Sequence, residues 1–238
     1  MEHLLATLWV YRRCLGRAAS LFGRTLPAAA AVALYAAALG VVQRLALPLG
    51  MAGGLVVTLA ACALASSYLY LVGQALRLGR VNLVADGRRG LTAHLAEVVN
   101  LGFLLWVASF AVRLLAAQGG GPALRLGFAV VVFVVGNVLP ELVYQRPAGA
   151  AALVAESYRF VVSEGLAWFP PTLAAAAAGY LVVAAAGRLP LPYPVAELLR
   201  LALWGGAVHA VMLFRGCLFA ELSATGARGR LFRYRARR

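Results

Sequence analysis

Six stretches of the chain are apolar for long enough to cross a bilayer, which takes about 20 residues of helix. They run over 26–43, 51–76, 95–117, 124–144, 169–187 and 195–219. Short breaks fall inside each successive pair: Leu47-Pro48-Leu49-Gly50, Gly119-Gly120-Gly121-Pro122 and Leu189-Pro190-Leu191-Pro192. Gly and Pro stop a helix, and so short a stop joins two antiparallel helices into a hairpin. The expected fold is all-α: a multi-pass transmembrane helical bundle of about six spans.

Two further stretches carry helical periodicity without being apolar throughout. Over 3–24, Arg13, Arg17, Ser20 and Arg24 share one face, and Leu4, Leu5, Leu8, Trp9, Leu15 and Phe22 lie mostly opposite. Over 149–166, Glu156, Arg159 and Ser163 share a face, while Leu153, Val154, Phe160 and Val161 supply apolar contact. Both read as amphipathic helices lying in the membrane interface. They also begin a parallel internal repeat. With Tyr11 set on Tyr158, thirteen of thirty ungapped pairs are identical as far as Gly40 and Gly187. These include Arg12/Arg159, Phe22/Phe169, Thr25/Thr172, Leu26/Leu173 and Leu34/Leu181; six are Ala on Ala. A three-residue shift then matches Arg44-Leu45-Ala46-Leu47-Pro48 with Arg188-Leu189-Pro190-Leu191-Pro192. The stretch 86–97 would begin a third, more diverged copy.

Composition adds the side of the membrane. The chain has 238 residues, 63% hydrophobic and 13% charged, against about 25% charged in a soluble domain. Its net charge of +14 comes from 22 arginines and no lysine against eight acids. Such an Ala-, Leu-, Gly- and Arg-rich chain suggests a GC-rich, bacterial coding sequence. In a six-span arrangement seventeen arginines fall on one side, and only Arg44, Arg113, Arg125, Arg188 and Arg200 on or near the other. The positive-inside rule then places both termini in the cytoplasm, with the protein in the inner membrane. The Arg-rich start before the first span reads as a retained helix, not a cleaved signal. The expected layout is one membrane domain over 1–238. It comprises an interfacial helix 1–24, hairpin 25–76, middle hairpin 77–147, interfacial helix 148–166, hairpin 167–222 and basic cytoplasmic tail 223–238.

Candidate chemistry is sparse. Glu97 and Asn100 near the start of the third span, with Asn137 and Glu141 near the end of the fourth, would reach similar depth in an antiparallel pair. Ionisable groups in spans are costly and mark paired or functional positions. Pro140 should kink the fourth span and free the carbonyl near residue 136. The plainer alternative pairs both glutamates with Arg77, Arg80, Arg146 or Arg159. A basic set comprises Arg13, Arg17 and Arg24 of the first amphipathic helix and Arg228, Arg230, Arg233, Arg235, Arg237 and Arg238 of the tail. Directly after a span, these arginines fit anionic lipid headgroups better than nucleic acid. His94 and Glu97 lie at i, i+3, with His209 a distant third; no second motif accompanies them, and no metal is expected. Gly205 and Gly206 suggest a close helix approach beside His209. Trp168-Phe169-Pro170-Pro171 reads as an interfacial anchor at a helix start. Cys14, Cys62 and Cys217 form no disulfide framework and read as packing residues. No phosphate-binding loop, Gly-x-Ser-x-Gly, Cys-x-x-Cys or Gly-x-Gly-x-x-Gly pattern occurs, so neither an enzyme nor a cofactor is expected.

The run Gly149-Ala150-Ala151-Ala152-Leu153-Val154-Ala155-Glu156-Ser157-Tyr158-Arg159-Phe160-Val161, followed by a new span, resembles a broad group of uncharacterised six-span bacterial membrane proteins. That group is related to the membrane region of glycerophosphodiester phosphodiesterases. The resemblance covers about 140–190 locally and implies an architecture of hairpins led by interfacial helices. It implies no activity, because the soluble phosphodiesterase domain is not in this chain. The expected role is a non-enzymatic one, exerted through anionic lipid or a membrane-protein partner at the cytoplasmic face. The alternative is a small transporter or channel subunit using the polar cluster.

Overall fold

In the computed structural model, α1 (Glu2–Arg24) leads into α2 (Leu26–Ala46), and a short 3-10 turn at Leu47–Leu49 reverses the chain into α3 (Met51–Leu78). Gly50 makes that reversal with φ of 55°, a conformation open to glycine. A short helix α4 (Leu83–Ala93) precedes α5 (Leu95–Leu115), and α6 (Gly121–Gly136) is followed by α7 (Leu139–Gln145). Two long helices, α8 (Ala150–Ala186) and α9 (Tyr193–Ala224), and a short α10 (Ala227–Arg235) complete the chain. The structure describes residues 2–117, 121–190 and 192–236, without the side chains of His3, Ala227 and Arg228. Parts of two predicted turns, 119–120 and 191, and the tail residues Arg237 and Arg238 lie outside the described residues.

Among the described residues, six segments are long and apolar enough to span a membrane: Leu26–Leu49, Met51–Leu78, Leu95–Leu115, Gly121–Gln145, Ala150–Ala186 and Tyr193–Ala224. The protein is a multi-pass α-helical membrane protein. An 18-residue apolar window is 39% buried in α9 but 6% in α5 and in α8, so α9 is the central span. It packs against α1, α2, α3, α7 and α8. At 1.5 Å per residue, the 37-residue α8 is about 55 Å long, well beyond the about 30 Å of a hydrocarbon core.

The packed core sits toward one end. Leu69 and Val72 of α3, Leu142 of α7, Leu153 and Phe160 of α8, and Leu213, Leu218 and Phe219 of α9 form one buried cluster. Both termini lie at this end, because Arg235 of α10 pairs with Glu2 of α1. We call it the terminal face. Helix α1 is three-sided here. Ala6, Val10, Cys14, Ala18 and Leu21 form the stripe it buries, while Leu4, Leu8 and Leu15 stay exposed. The sequence reading set the leucines as the apolar face of an interfacial helix. The structure adds a third face of smaller residues, which let α1 lie close to α9.

The stretch 148–166 is not a separate interfacial helix. It continues through Pro170 and Pro171 as the single helix α8. Pro171 has no N–H, so the carbonyl of Ala167 loses its helical donor. Tyr11 fills the gap, its hydroxyl donating to the Ala167 oxygen at 2.8 Å. In α1–α2 the chain breaks at Thr25, whose hydroxyl donates to Leu21 O at 2.8 Å. Thr172, set on Thr25 by the alignment, donates to Trp168 O at 2.8 Å.

The Tyr11 contact has a direct test. Tyr11→Phe leaves a half-buried carbonyl unpaired, which costs about 1–3 kcal/mol. The variant should lower the thermal midpoint in detergent, whereas Tyr158→Phe, at an exposed tyrosine, should not. Equal midpoints for the two would remove this contact from the account.

Candidate functional site

The most constrained polar site lies where the fourth span breaks. Pro140 falls in the first turn of α7, so α6 and α7 do not continue into one another. The expected kink is thus a full interruption at Asn137 and Val138. Carbonyls around the break then need other donors. Ser157 of α8 donates to Val135 O, and Arg215 of α9 donates to Asn137 O.

Arg215 also holds Glu141. Its Nε donates to Oε1 at 2.7 Å and its Nη2 to Oε2 at 2.9 Å, a two-point pairing. The Glu141 side chain is wholly buried and that of Arg215 is 15% exposed. The guanidinium lies 5.2 Å from the Trp168 ring centre, within cation–π reach. Trp168 in turn donates its indole N–H to Asn137 Oδ1 at 2.8 Å. Four residues from α7, α8, α9 and the α6–α7 break thus close a loop. A buried charge is tolerable only when paired and hydrogen-bonded, and this one is.

This geometry corrects the sequence reading at three points. Asn137 and Glu141 do belong together, but Glu97 and Asn100 are not their partners. Asn100 is exposed, and among the described residues neither Glu97 nor Asn100 makes a hydrogen bond or ion pair. Glu141 pairs with Arg215, not with Arg77, Arg80, Arg146 or Arg159. Trp168 is no interfacial anchor; it is fully buried and packs edge-on against Phe160 and Phe219.

A second polar chain ties α9 to the start of the first span. Thr25 spends its proton on Leu21 O, so its oxygen accepts from His209 Nε2 at 2.9 Å. His209 Nδ1 lies 3.4 Å from the Tyr68 hydroxyl. His209 is therefore a structural bridge among three helices. Gly205, one turn before it, lets α9 meet the Ala29 backbone: a Cβ there would lie 2.6 Å from Ala29 O.

A third site joins α4 to α3. Asn82 caps α4 by accepting from Ala85 N at 3.0 Å, while Asp86 accepts from Asn82 N at 2.8 Å. Tyr35 and Ser67 hydroxyls meet at 2.7 Å, and Ser67 donates to Gly87 O at 2.8 Å. Ser66 donates to Gly90 O at 2.6 Å and accepts from His94 N at 2.9 Å, standing in for the helical bond lost between them. Neither serine signals this role in the sequence, because a hydroxyl in a span reads as neutral. The His94 ring is buried, and among the described residues both its nitrogens lack hydrogen-bond partners. Burial lowers its pKa below 6.5, although Glu97 opposes the shift.

The basic set divides. Arg13 and Arg233 both reach Glu221 at 3.6 Å, Arg235 pairs with Glu2, and Arg230 holds Glu164 at 2.7 Å. Arg230 is only 6% exposed, so it locks α10 in place and cannot face lipid. Arg17 caps α3 by donating to Leu76 O at 3.2 Å, and Arg24 is exposed. The tail thus folds back as a paired helix where the sequence suggested a free basic segment. Burial pushes the Cys14 thiol up to about 12, so it stays protonated and unreactive. Comparison with protein-family models, curated proteins and solved structures returned no match.

Two outcomes follow. Arg215→Met strands Glu141 and should cost about 3–5 kcal/mol. Adding Glu141→Leu should recover most of that loss, and Glu97→Gln alone should be within about 0.5 kcal/mol of the parent. Thermal midpoints of the four proteins check this, and failure of the double variant to recover would refute a simple clamp. His94 gives a pH signature. Its folded pKa lies below the unfolded one, so the unfolded chain takes up the proton first. Stability should therefore be full above pH 6.5 and fall as pH drops through it. His94→Phe should flatten that part of the curve, read as the difference between the two pH profiles.

Proposed function

We propose that the protein is a non-enzymatic, multi-pass protein of a bacterial inner membrane that acts on or through anionic lipid at its cytoplasmic face. The observation that carries this reading is the shared polarity of packing and charge. In the six-span layout seventeen arginines and seven of the eight acids lie on the side of the termini, a surplus of ten positive charges. The buried core is on that side too, so the arginines are mounted on the rigid part of the molecule. Arg12, Arg24 and Arg159 are exposed there, where each contributes about 1 kcal/mol toward an anionic surface. With both termini on this face, the positive-inside rule makes it cytoplasmic. Between α1, α2, α8 and α9 runs an apolar groove of about 570 Å³ lined by Phe22, Leu26, Gly179, Val182, Leu203 and Ala207. A groove of that character suits an acyl chain.

The matched hydroxyl contacts of Thr25 and Thr172 support the internal repeat, and α4, like α1, is a separate helix ahead of a span.

Extraction with native lipid tests the proposal: phosphatidylglycerol or cardiolipin should be enriched over the bulk membrane. A bound-lipid profile equal to the bulk would overturn it. One observation favours a transport subunit instead, namely the broken span with a buried charge at the break, a design that transporters use. Liposome flux decides that rival. It predicts a flux that Glu141→Gln abolishes; flux that survives both Glu97→Gln and Glu141→Gln would remove it.

A further inference from the structure

We propose that the cleft between α1, α3, α7 and α9 at the terminal face is a specific phosphate-binding site. The cleft holds about 270 Å³ and is lined by Arg17, Arg77, Tyr144, Gln145 and Cys217, among others. That is just below the about 300 Å³ at which small-molecule pockets begin, so it suits a headgroup-sized ligand and not a whole lipid.

Its chemistry is one-sided. A guanidinium carries five N–H donors. Arg17 spends one on Leu76 O and Arg77 one on Gly73 O, both at 3.2 Å. Neither pairs with a carboxylate among the described residues, unlike Arg13, Arg146, Arg215, Arg230, Arg233 and Arg235. No acid lines the cleft. Glu141 and Glu221, on the α7 and α9 helices that wall the cleft, are already held by Arg215 and by Arg13 and Arg233. Tyr144 supplies the independent sign of a ligand. It is 3% exposed, it lines the cleft, and among the described residues its hydroxyl has no hydrogen-bond partner of good geometry: the Gln145 amide lies beside it but donates to Gly216 O at 3.0 Å. A buried orphan hydroxyl is costly and calls for an explanation. Two guanidiniums with unused donors and an unpaired phenol fit a tetrahedral oxyanion, with arginine as the residue suited to phosphate.

The phosphate can arrive on a lipid headgroup or free in solution. This proposal rests on the lipid reading above only for the first source. The test uses the full-length protein in detergent and the rise of its thermal midpoint with added probe. The probes are dioctanoyl phosphatidic acid, inorganic phosphate and, as the phosphate-free control, dioctanoylglycerol. We expect phosphatidic acid to raise the midpoint and dioctanoylglycerol to leave it in place. Arg17→Gln and Arg77→Gln should each weaken the apparent affinity about tenfold, the worth of one charge-assisted bond. Arg200→Gln, outside the cleft, should not. Tyr144→Phe separates binding from folding: it removes an unpaired hydroxyl, so the probe-free midpoint should hold or rise while affinity falls. A shift with phosphatidic acid alone assigns a headgroup site, and a shift with inorganic phosphate too assigns a soluble phosphate. No shift with either probe overturns the proposal. So does a shift that survives Arg17→Gln and Arg77→Gln unchanged, which would still leave the broader lipid reading standing.

Discussion

A carbonyl oxygen that loses its donor four residues on has no water to turn to inside a bilayer, and leaving it bare costs several kcal/mol. This chain creates such carbonyls repeatedly, at the α6–α7 break, at Pro171 and at the α4–α5 junction. At each of these places a side chain from another helix supplies a donor: Arg215 to Asn137 O, Tyr11 to Ala167 O, and Ser66 to Gly90 O. The breaks are therefore the fasteners. A continuous helix would need no partner, whereas a broken one dictates which neighbour must lie beside it. This matters because lipid tails are as apolar as leucine, so burying leucine chooses no partner.

The same reasoning explains why the core sits at one end. The interruptions, the close approaches at Gly90 and Gly216 and the buried ionic pair gather toward the terminal face, while Gly53 serves the α2–α3 turn at the other end. Elsewhere, Ala-rich α2 and α8 offer little surface that is specific, and leucines, valines and aromatics face outward instead. Dispersion still holds those halves together, but nothing there selects a single arrangement. The result is a rigid headpiece carrying splayed spans.

Much of the fold was legible from the sequence, and the limits were physical. Span positions follow from apolar length, and the first turn from Leu47-Pro48-Leu49-Gly50. Asn137 and Glu141 stood out because polar groups within a span demand a reason. Their partners did not. Arg215 lies 74 residues from Glu141, at the end of a span, where an arginine ordinarily serves topology. Trp168 beside two prolines looks like a belt residue, and only the packing of α8 on α7 and α9 shows it buried. Glu97 and Asn100 shared a depth with Glu141 but not a direction, and hydropathy carries no direction. The α1 reading described an arginine face and a leucine face and did not identify the third face, of smaller residues, that meets the protein. In a membrane small residues take that place because they let backbones approach.

Arginine economy follows from these contacts. Among the described residues, six of the eight acids pair with arginine: Glu2, Glu141, Glu156, Glu164, Glu197 and Glu221. Pairs as exposed as Arg200–Glu197 add little to stability. The buried Arg215–Glu141 pair earns little net stability either, since desolvation offsets attraction. What such pairs do is forbid alternatives: α10 without Glu164, or α7 away from α9, would strand a charge. With so few acids, each one that locks a helix leaves more arginines without partners, and these collect on the same face. A chain that fastens itself through arginine and keeps few carboxylates therefore presents unspent guanidinium donors beside its most rigid packing. That is the physical requirement for binding an anion selectively and not merely attracting one.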